Sequence, residues 1–458
     1  MKAKQAIFII GLSTMLSIPF IQAQFHSKNT EELQPSHELN QTVKKIITDN
    51  GCMSCHAEKV ELPFYAEFPV VGDLVKKDVN QALKHANLSP VISALENDNA
   101  VSEVYLAKLE KMLEDNTMPP AQYQLMHWTN FISSDEKRSM QEWISQSRAA
   151  YYATGTASKE FANEPIQPIL DSMEVDHGKV ALGKALYHDT RLSGDNTVSC
   201  ASCHDLGTGG VDKKKYSIGI RQQEGGINAP TVYNAAFNSH QFWDGRADDL
   251  QAQAGGPPMN PVEMDGQSWE KIIQKLEADR SFTKEFSKVY PEGYSEETIT
   301  EAIAEFEKTL ITPNSRFDQY LKGDKDALSA DEIRGYELFK DNNCATCHVG
   351  QAMGGQSFEF MGLKEDYFAD RGNETEADHG RIGVTKKETD QHRFKTPTLR
   401  NVAQTAPYYH DGSVETLKEA TEKMLKYQVG KELPDEDVDK IVLFLHTLTG
   451  QYNGEYVK

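Results

Sequence analysis

All six cysteines of the 458-residue chain fall into three pairs, and each pair runs straight into a histidine. The strings are Cys52-Met53-Ser54-Cys55-His56, Cys200-Ala201-Ser202-Cys203-His204 and Cys344-Ala345-Thr346-Cys347-His348. Cys-x-x-Cys-His is the attachment signal of c-type haem: the two thiols add to the porphyrin vinyl groups and the adjacent imidazole binds the iron. A zinc ribbon would set two Cys-x-x-Cys pairs about 15 to 20 residues apart, and a redox dithiol has no use for the histidine. Cys52, Cys55, Cys200, Cys203, Cys344 and Cys347 are therefore expected to carry three covalent haems, with His56, His204 and His348 as proximal ligands.

The motifs stand about 150 residues apart, one per domain-sized unit. The second and third units repeat each other. Gly183-x-x-Leu186-Tyr187 answers Gly335-x-x-Leu338-Phe339, and Pro230 to Ala236 answers Pro397 to Ala403. Farther along, Trp243-Asp244-Gly245 answers His410-Asp411-Gly412. One ancestral haem domain has been used twice in tandem, and the first unit, lacking these strings, is a separate module. The fold is expected to be mainly α: three c-type haem domains, the last two a duplicated cytochrome c-like pair. Expected bounds are 24–160, 161–325 and 326–458, with Thr154 to Pro168 as the linker. Ser133-x-x-Glu136 and Ser329-x-x-Glu332 read as capping boxes, Thr298 to Leu310 as an amphipathic helix, and Ile441 to Leu448 as a terminal helix stopped by Gly450. The glycine pairs 209–210, 225–226, 255–256 and 354–355 read as loops.

Lys2 and Lys4 precede an apolar run from Ala6 to Ile21. At ~1.5 Å per residue it reaches about 24 Å, short of the ~30 Å hydrocarbon core. Residues 1–23 thus read as an export signal or an uncleaved anchor, and the remainder is expected in the periplasm, at the inner membrane if the anchor is kept. The net charge of -21 sets the chain against nucleic-acid phosphates.

The tandem pair resembles the bacterial di-haem cytochrome c peroxidases. The strings that carry the resemblance are Asp189 to Ser193, Phe242-Trp243-Asp244-Gly245-Arg246, Pro261-Val262-Glu263-Met264 and Thr405 to Gly412. The first module, with Met118-Pro119-Pro120, resembles the extra haem domain of triheme members, some of them quinol peroxidases. The resemblance implies reduction of hydrogen peroxide to two waters. It places the family's catalytic glutamate on Glu263, its glutamine on Gln253, and its inter-haem tryptophan on Trp243. Such a pair suits the chemistry. A carboxylate can take a proton from one peroxide oxygen and return it to the other, and an amide can orient the substrate. The resemblance also implies Met424 as distal ligand of the third haem, and a calcium ion on the Asn228 side chain and the Thr405 and Pro407 carbonyls. Oxygen donors suit that cation. For the first haem, Met118, Met126 and His127 all stand where a distal ligand could; the resemblance favours Met118.

One position departs from the family pattern. Many relatives carry a histidine sixteen residues after the peroxidatic proximal histidine, blocking the iron until the other haem is reduced. Here it is Ile220, which cannot ligate; His240 is the residue that could fill the gap. The peroxidatic site is therefore expected to be open when oxidised. The donor is expected to be membrane quinol, from the triheme resemblance, or a small cytochrome c, which the acidic surface would attract. A multihaem electron-transfer cytochrome is the alternative, though it would need neither Glu263 nor Gln253. In relatives that oxidise tryptophan residues of a partner protein, a tyrosine replaces the distal methionine, which Met424 argues against.

Overall fold

The computed structural model describes residues 34–458 except 61, 63, 128 and 129. The expected signal or anchor at 1–23 lies outside them. The described residues are mainly helical, with two short antiparallel ribbons, and none of their helices is long and apolar enough to cross a membrane.

The first module packs α1 (His37–Asp49), α2 (Ser89–Glu96), α3 (Glu103–Asp115) and α4 (Ser134–Tyr151) around Val43, Ile47, Val91, Leu106, Trp143 and Ile144. Ser133 caps α4 in the expected reciprocal box with Glu136. The second unit is built on α5 (His177–Tyr187), α6 (Leu250–Met259) and α7 (Glu296–Glu307). The third uses α8 (Ala330–Asp341), α9 (Leu417–Met424) and α10 (Asp435–His446), with a ribbon of β1 (Phe358–Phe360) and β2 (Arg393–Lys395). The Ser329–Glu332 box opens α8 as expected.

The duplication is visible in packing. α5 crosses α7 at Gly183, where a Cβ would lie 1.8 Å from the Ala302 carbonyl oxygen; α8 crosses α10 at Gly335, where it would lie 2.0 Å from that of Lys440. No other side chain allows those axes to come so close. The paired asparagines Asn234 and Asn401 both adopt left-handed backbone (φ 63° and 65°) and both donate to the Thr312 hydroxyl, at 2.8 and 3.0 Å. Thr312 is fully buried and sits where the two copies meet.

Three local expectations change. Gly255 and Gly256 lie inside α6, not in a loop, because the Asp249 side chain caps the helix on Ala252 N and the turn continues to Met259. Gly450 does not cap the terminal helix, which ends at His446. It is small because a Cβ would lie 1.9 Å from the Thr312 carbonyl oxygen. The helix read from Thr298 begins at Glu296 and ends before Leu310, although Ile299, Ile303, Phe306 and Leu310 are all buried. The segment from Thr154 to Pro168 straps the third unit: Phe161 and Ile166 join its core, and Glu164 accepts from Tyr336. The C-terminal Val457 packs on Tyr187 and Tyr233 of the second unit.

Candidate functional site

The three histidines are prepared to bind metal. His56 Nδ1 bonds the Ala86 carbonyl at 2.8 Å, and His348 Nδ1 bonds that of Met353 at 3.1 Å. A proton fixed on Nδ1 leaves Nε2 with its lone pair. His204 Nδ1 is buried facing the Gly210 and Pro230 carbonyls but closes a full hydrogen bond with neither. Burial holds all three imidazoles below their usual pKa, in the neutral, ligating form. All six cysteines are unpaired. Burial pushes Cys52 to about 11 and Cys200 to about 12, so they are thiols rather than attacking thiolates. These residues fit covalent haem and do not fit a dithiol exchanger.

Glu263 follows the end of α6, and its place is set by Asn260. The Asn260 amide donates to Glu263 Oε1 at 2.8 Å, while its own Oδ1 accepts from Val262 N at 2.9 Å. Burial raises the Glu263 carboxyl above its usual pKa, opposed by the charge of Arg246 and the Asn260 bond. Arg246 lies over the Phe242 ring, 3.5 Å to the centroid. Gln253 is half-buried on α6.

The segment carrying Ile220 is bound to the Glu263 loop. Ile220 N donates to the Glu263 carbonyl at 2.8 Å, Gln223 Nε2 donates to that of Pro261 at 2.9 Å, and Arg221 pairs with Asp265 at 2.7 Å. Ile220 itself is buried in the core with Leu192, Met264 and Ile272. His240 places Nδ1 3.3 Å from the Ser239 hydroxyl and its ring edge-on to Phe358 of the third unit, 5.4 Å between centroids.

Trp243 crosses to the third unit. Its ring packs on a cluster of Met361, Tyr367, Phe368, Phe394 and Tyr427, where Met424 also packs. The chain turns from α9 into a π-helical stretch, Leu425–Val429, immediately after Met424. Trp243 Nε1 donates to the Asn228 carbonyl at 2.8 Å, and Asn228 N donates to that of His410 at 2.7 Å. Asn228 is thereby set against the loop that carries Thr405 and Pro407. Its side-chain nitrogen donates to the Lys214 and Lys215 carbonyls.

Two residues that the sequence reading passed over belong here. Asn260 had a signal, standing three residues before Glu263 and directly before the Pro261 to Met264 string. His410 had a better one, being the duplicate of Trp243: the two rings meet edge to face with centroids 6.3 Å apart. His410 Nε2 bonds buried Asp378 at 2.7 Å, and Arg371 grips Asp378 and Asp411. Asp378, His410 and Asp411 lie close enough to hold a cation, but the Arg371 guanidinium already supplies their positive charge.

In the first module Met118 is 36% exposed, in the loop after α3. His127 stacks on Tyr123 at 4.0 Å and places Nδ1 3.1 Å from its carbonyl. The Met126 side chain lies outside the description.

The chain matches the family model described as di-haem cytochrome c peroxidase over residues 177–326. It also matches a haem-binding domain over 13–146 and a cytochrome c domain over 333–449. It is 53% identical to the cytochrome c peroxidase of Escherichia coli (strain K12), over 93% of this chain and 91% of that one. The chain belongs to the bacterial cytochrome c peroxidase family. As a member it is a haem peroxidase, an oxidoreductase. It is also 47% identical to the cytochrome c551 peroxidase of Nitrosomonas europaea, over 67% of this chain and 90% of that one. Among solved structures, a MauG-like protein associated with microbial copper homeostasis is 27% identical with TM-score 0.55, covering 63% of this chain and 93% of that one. This peroxidase thus matches the Escherichia coli relative over nearly its whole length and the other two over about two thirds of it.

Proposed function

We propose that the protein is a periplasmic triheme peroxidase that reduces hydrogen peroxide to two waters, H2O2 + 2 e⁻ + 2 H⁺ → 2 H2O. Haem supplies the redox chemistry that accepts the two electrons and cleaves the O–O bond. The observation that carries the reading is Glu263: a half-buried carboxylate with raised pKa, steadied by Asn260 on the unit whose proximal histidine is His204. Its role is to take the proton from one peroxide oxygen and deliver it to the other. Gln253 orients the substrate. Met118 and Met424 are the distal ligands of the first and third haems. Met118 is not committed to the core, and Met424 shares a cluster with Trp243.

Electrons enter at the first module, pass to the third unit and reach the second through Trp243. Supporting this order, α3 packs against the third haem motif, with Val104 and Ala107 on Val349. A calcium ion on Asn228, Thr405 and Pro407 would brace the loop that holds both Trp243 and His410. Ile220, buried in the core, leaves the second unit without a blocking histidine at that position, which supports an iron site open in the oxidised state.

Membrane quinol is the donor we favour. Supporting it, Leu62, Phe64, Phe68, Val70 and Leu74 expose apolar side chains shortly after His56, and the Ala6–Ile21 run would hold the module at the inner membrane. The second reading, a small basic cytochrome c, rests on the net charge of -21 and on the relatives' names. The test is steady-state oxidation of a soluble quinol analogue and, separately, of reduced cytochrome c by the haem-loaded protein with hydrogen peroxide. Faster quinol turnover supports the first donor and faster cytochrome turnover the second. Consumption of neither would overturn both donor assignments.

A further inference from the structure

The contact between the first module and the third unit holds a charge pair that close packing alone does not require. Lys108, one residue beyond Ala107 on α3, donates from Nζ to both carboxylate oxygens of Glu359 in β1, at 2.8 and 2.9 Å. The two side chains are only 14% and 15% exposed. The same ammonium donates to the His85 carbonyl at 2.9 Å. The next carbonyl, that of Ala86, accepts from His56 Nδ1. On the other side, Glu359 stands beside the Cys347 sulfur and within the field of His348. Lys108 and Glu359 are thus the charged link between the first haem motif and the third. The docking around them has other holds: Arg393 Nη2 donates to the Leu83 carbonyl at 2.7 Å, Gln81 Nε2 to that of Leu363 at 3.0 Å, and Lys387 pairs with Glu58.

A buried ion pair is a poor stabiliser, because desolvation offsets its attraction and an apolar pair of similar volume often does as well. What a buried charge does strongly is shift the balance of a redox centre beside it, since few intervening dipoles screen it. A carboxylate favours the more positive, oxidised state and lowers the potential. An ammonium raises it.

We propose that Lys108 and Glu359 are positioning residues that set the reduction potential of the third haem, with Lys108 supplied by the first module so that the potential is correct only when that module is docked. The proposal rests on the reading that His348 holds an electron-transferring haem. Its readout is independent of peroxide turnover, so the two can fail separately.

The test is a spectroelectrochemical titration of the full, haem-loaded chain at pH 8, following all three midpoint potentials. Glu359→Gln leaves Lys108 charged and should raise one of the three. Lys108→Met leaves Glu359 charged and should lower that same one, with the second unit's midpoint nearly unmoved. The double variant carries neither charge and should return the midpoint close to its original value; it also guards against misfolding caused by an unpaired buried charge. A merely structural role would shift the single variants in one direction or not at all. The proposal is overturned if Glu359→Gln fails to raise a midpoint, if Lys108→Met fails to lower it, or if the double variant is displaced as far as either single.

Discussion

Replacing Asn260 with alanine isolates the control of Glu263. The Asn260 amide donates to one carboxylate oxygen at 2.8 Å, a bond that stabilises the ionised form. Hydrogen bonds to charged groups contribute about 1.5–3 kcal/mol, and one pKa unit corresponds to about 1.4 kcal/mol. Glu263 keeps part of its surface in water, so the lower end applies, and its pKa should rise by about one unit. Burial has already raised it, so the acid limb of kcat/KM in the unsubstituted protein should lie above the ordinary glutamate value of about 4.3. A base works only when ionised, so activity falls as pH drops through that value, and Asn260→Ala should move the fall upward by about one pH unit. At pH well above the limb the two proteins should differ little. The assay is kcat/KM for peroxide from pH 4.5 to 8 at saturating donor. An unmoved limb, or one moved downward, would refute the assignment of Glu263 as the ionising base or of Asn260 as its partner.

Other outcomes follow from the same geometry. Glu263→Gln should lower turnover by ~10²-fold or more while leaving the haem spectra nearly intact; unchanged turnover would refute Glu263 as the residue that moves the proton. EPR of the fully oxidised protein should show a high-spin ferric component from the second unit, and three low-spin haems would count against an open site. Met118→Leu should disturb one haem spectrum only; no change would move the ligand to Met126 or His127. Gly183→Ala and Gly335→Ala should each destabilise by at least about 1–3 kcal/mol, because the added Cβ meets carbonyl oxygens of Ala302 and Lys440 at 1.8 and 2.0 Å, and thermal melting reads the loss.

The haem motifs, the duplication and most helices were legible because they rest on local chemistry. Capping boxes at Ser133 and Ser329 and the apolar face of Ile299, Ile303 and Phe306 are fixed within a turn or two of chain. What sequence did not disclose depends on distant partners. The smallness of Gly450 reads as a helix stop until Thr312 is seen against it. Gly255 and Gly256 read as a loop until the Asp249 cap and the neighbouring α7 are in place. Lys108 and Glu359 are 251 residues apart, and nothing in either neighbourhood marks them as a pair. Asn260 and His410 fall between, for one directly precedes and the other lies within a string already singled out, but the role of each is seen only in what its side chain touches.

His410 also shows how duplicated positions can diverge where the two copies touch. The two copies bring some equivalent positions together, as Asn234 and Asn401 meet at Thr312. Trp243 and His410 are such equivalents and they too meet, but the residues have diverged. On one side stands an indole whose N–H is held by a carbonyl; on the other, an imidazole held by a buried aspartate that Arg371 clamps. With tryptophan on one side and a histidine bonded to a clamped aspartate on the other, the contact between the two copies is chemically asymmetric. The pair has diverged where the copies touch, while the glycines that pack each copy's helices, Gly183 and Gly335, remain the same because a Cβ at either would meet the carbonyl of the crossing helix.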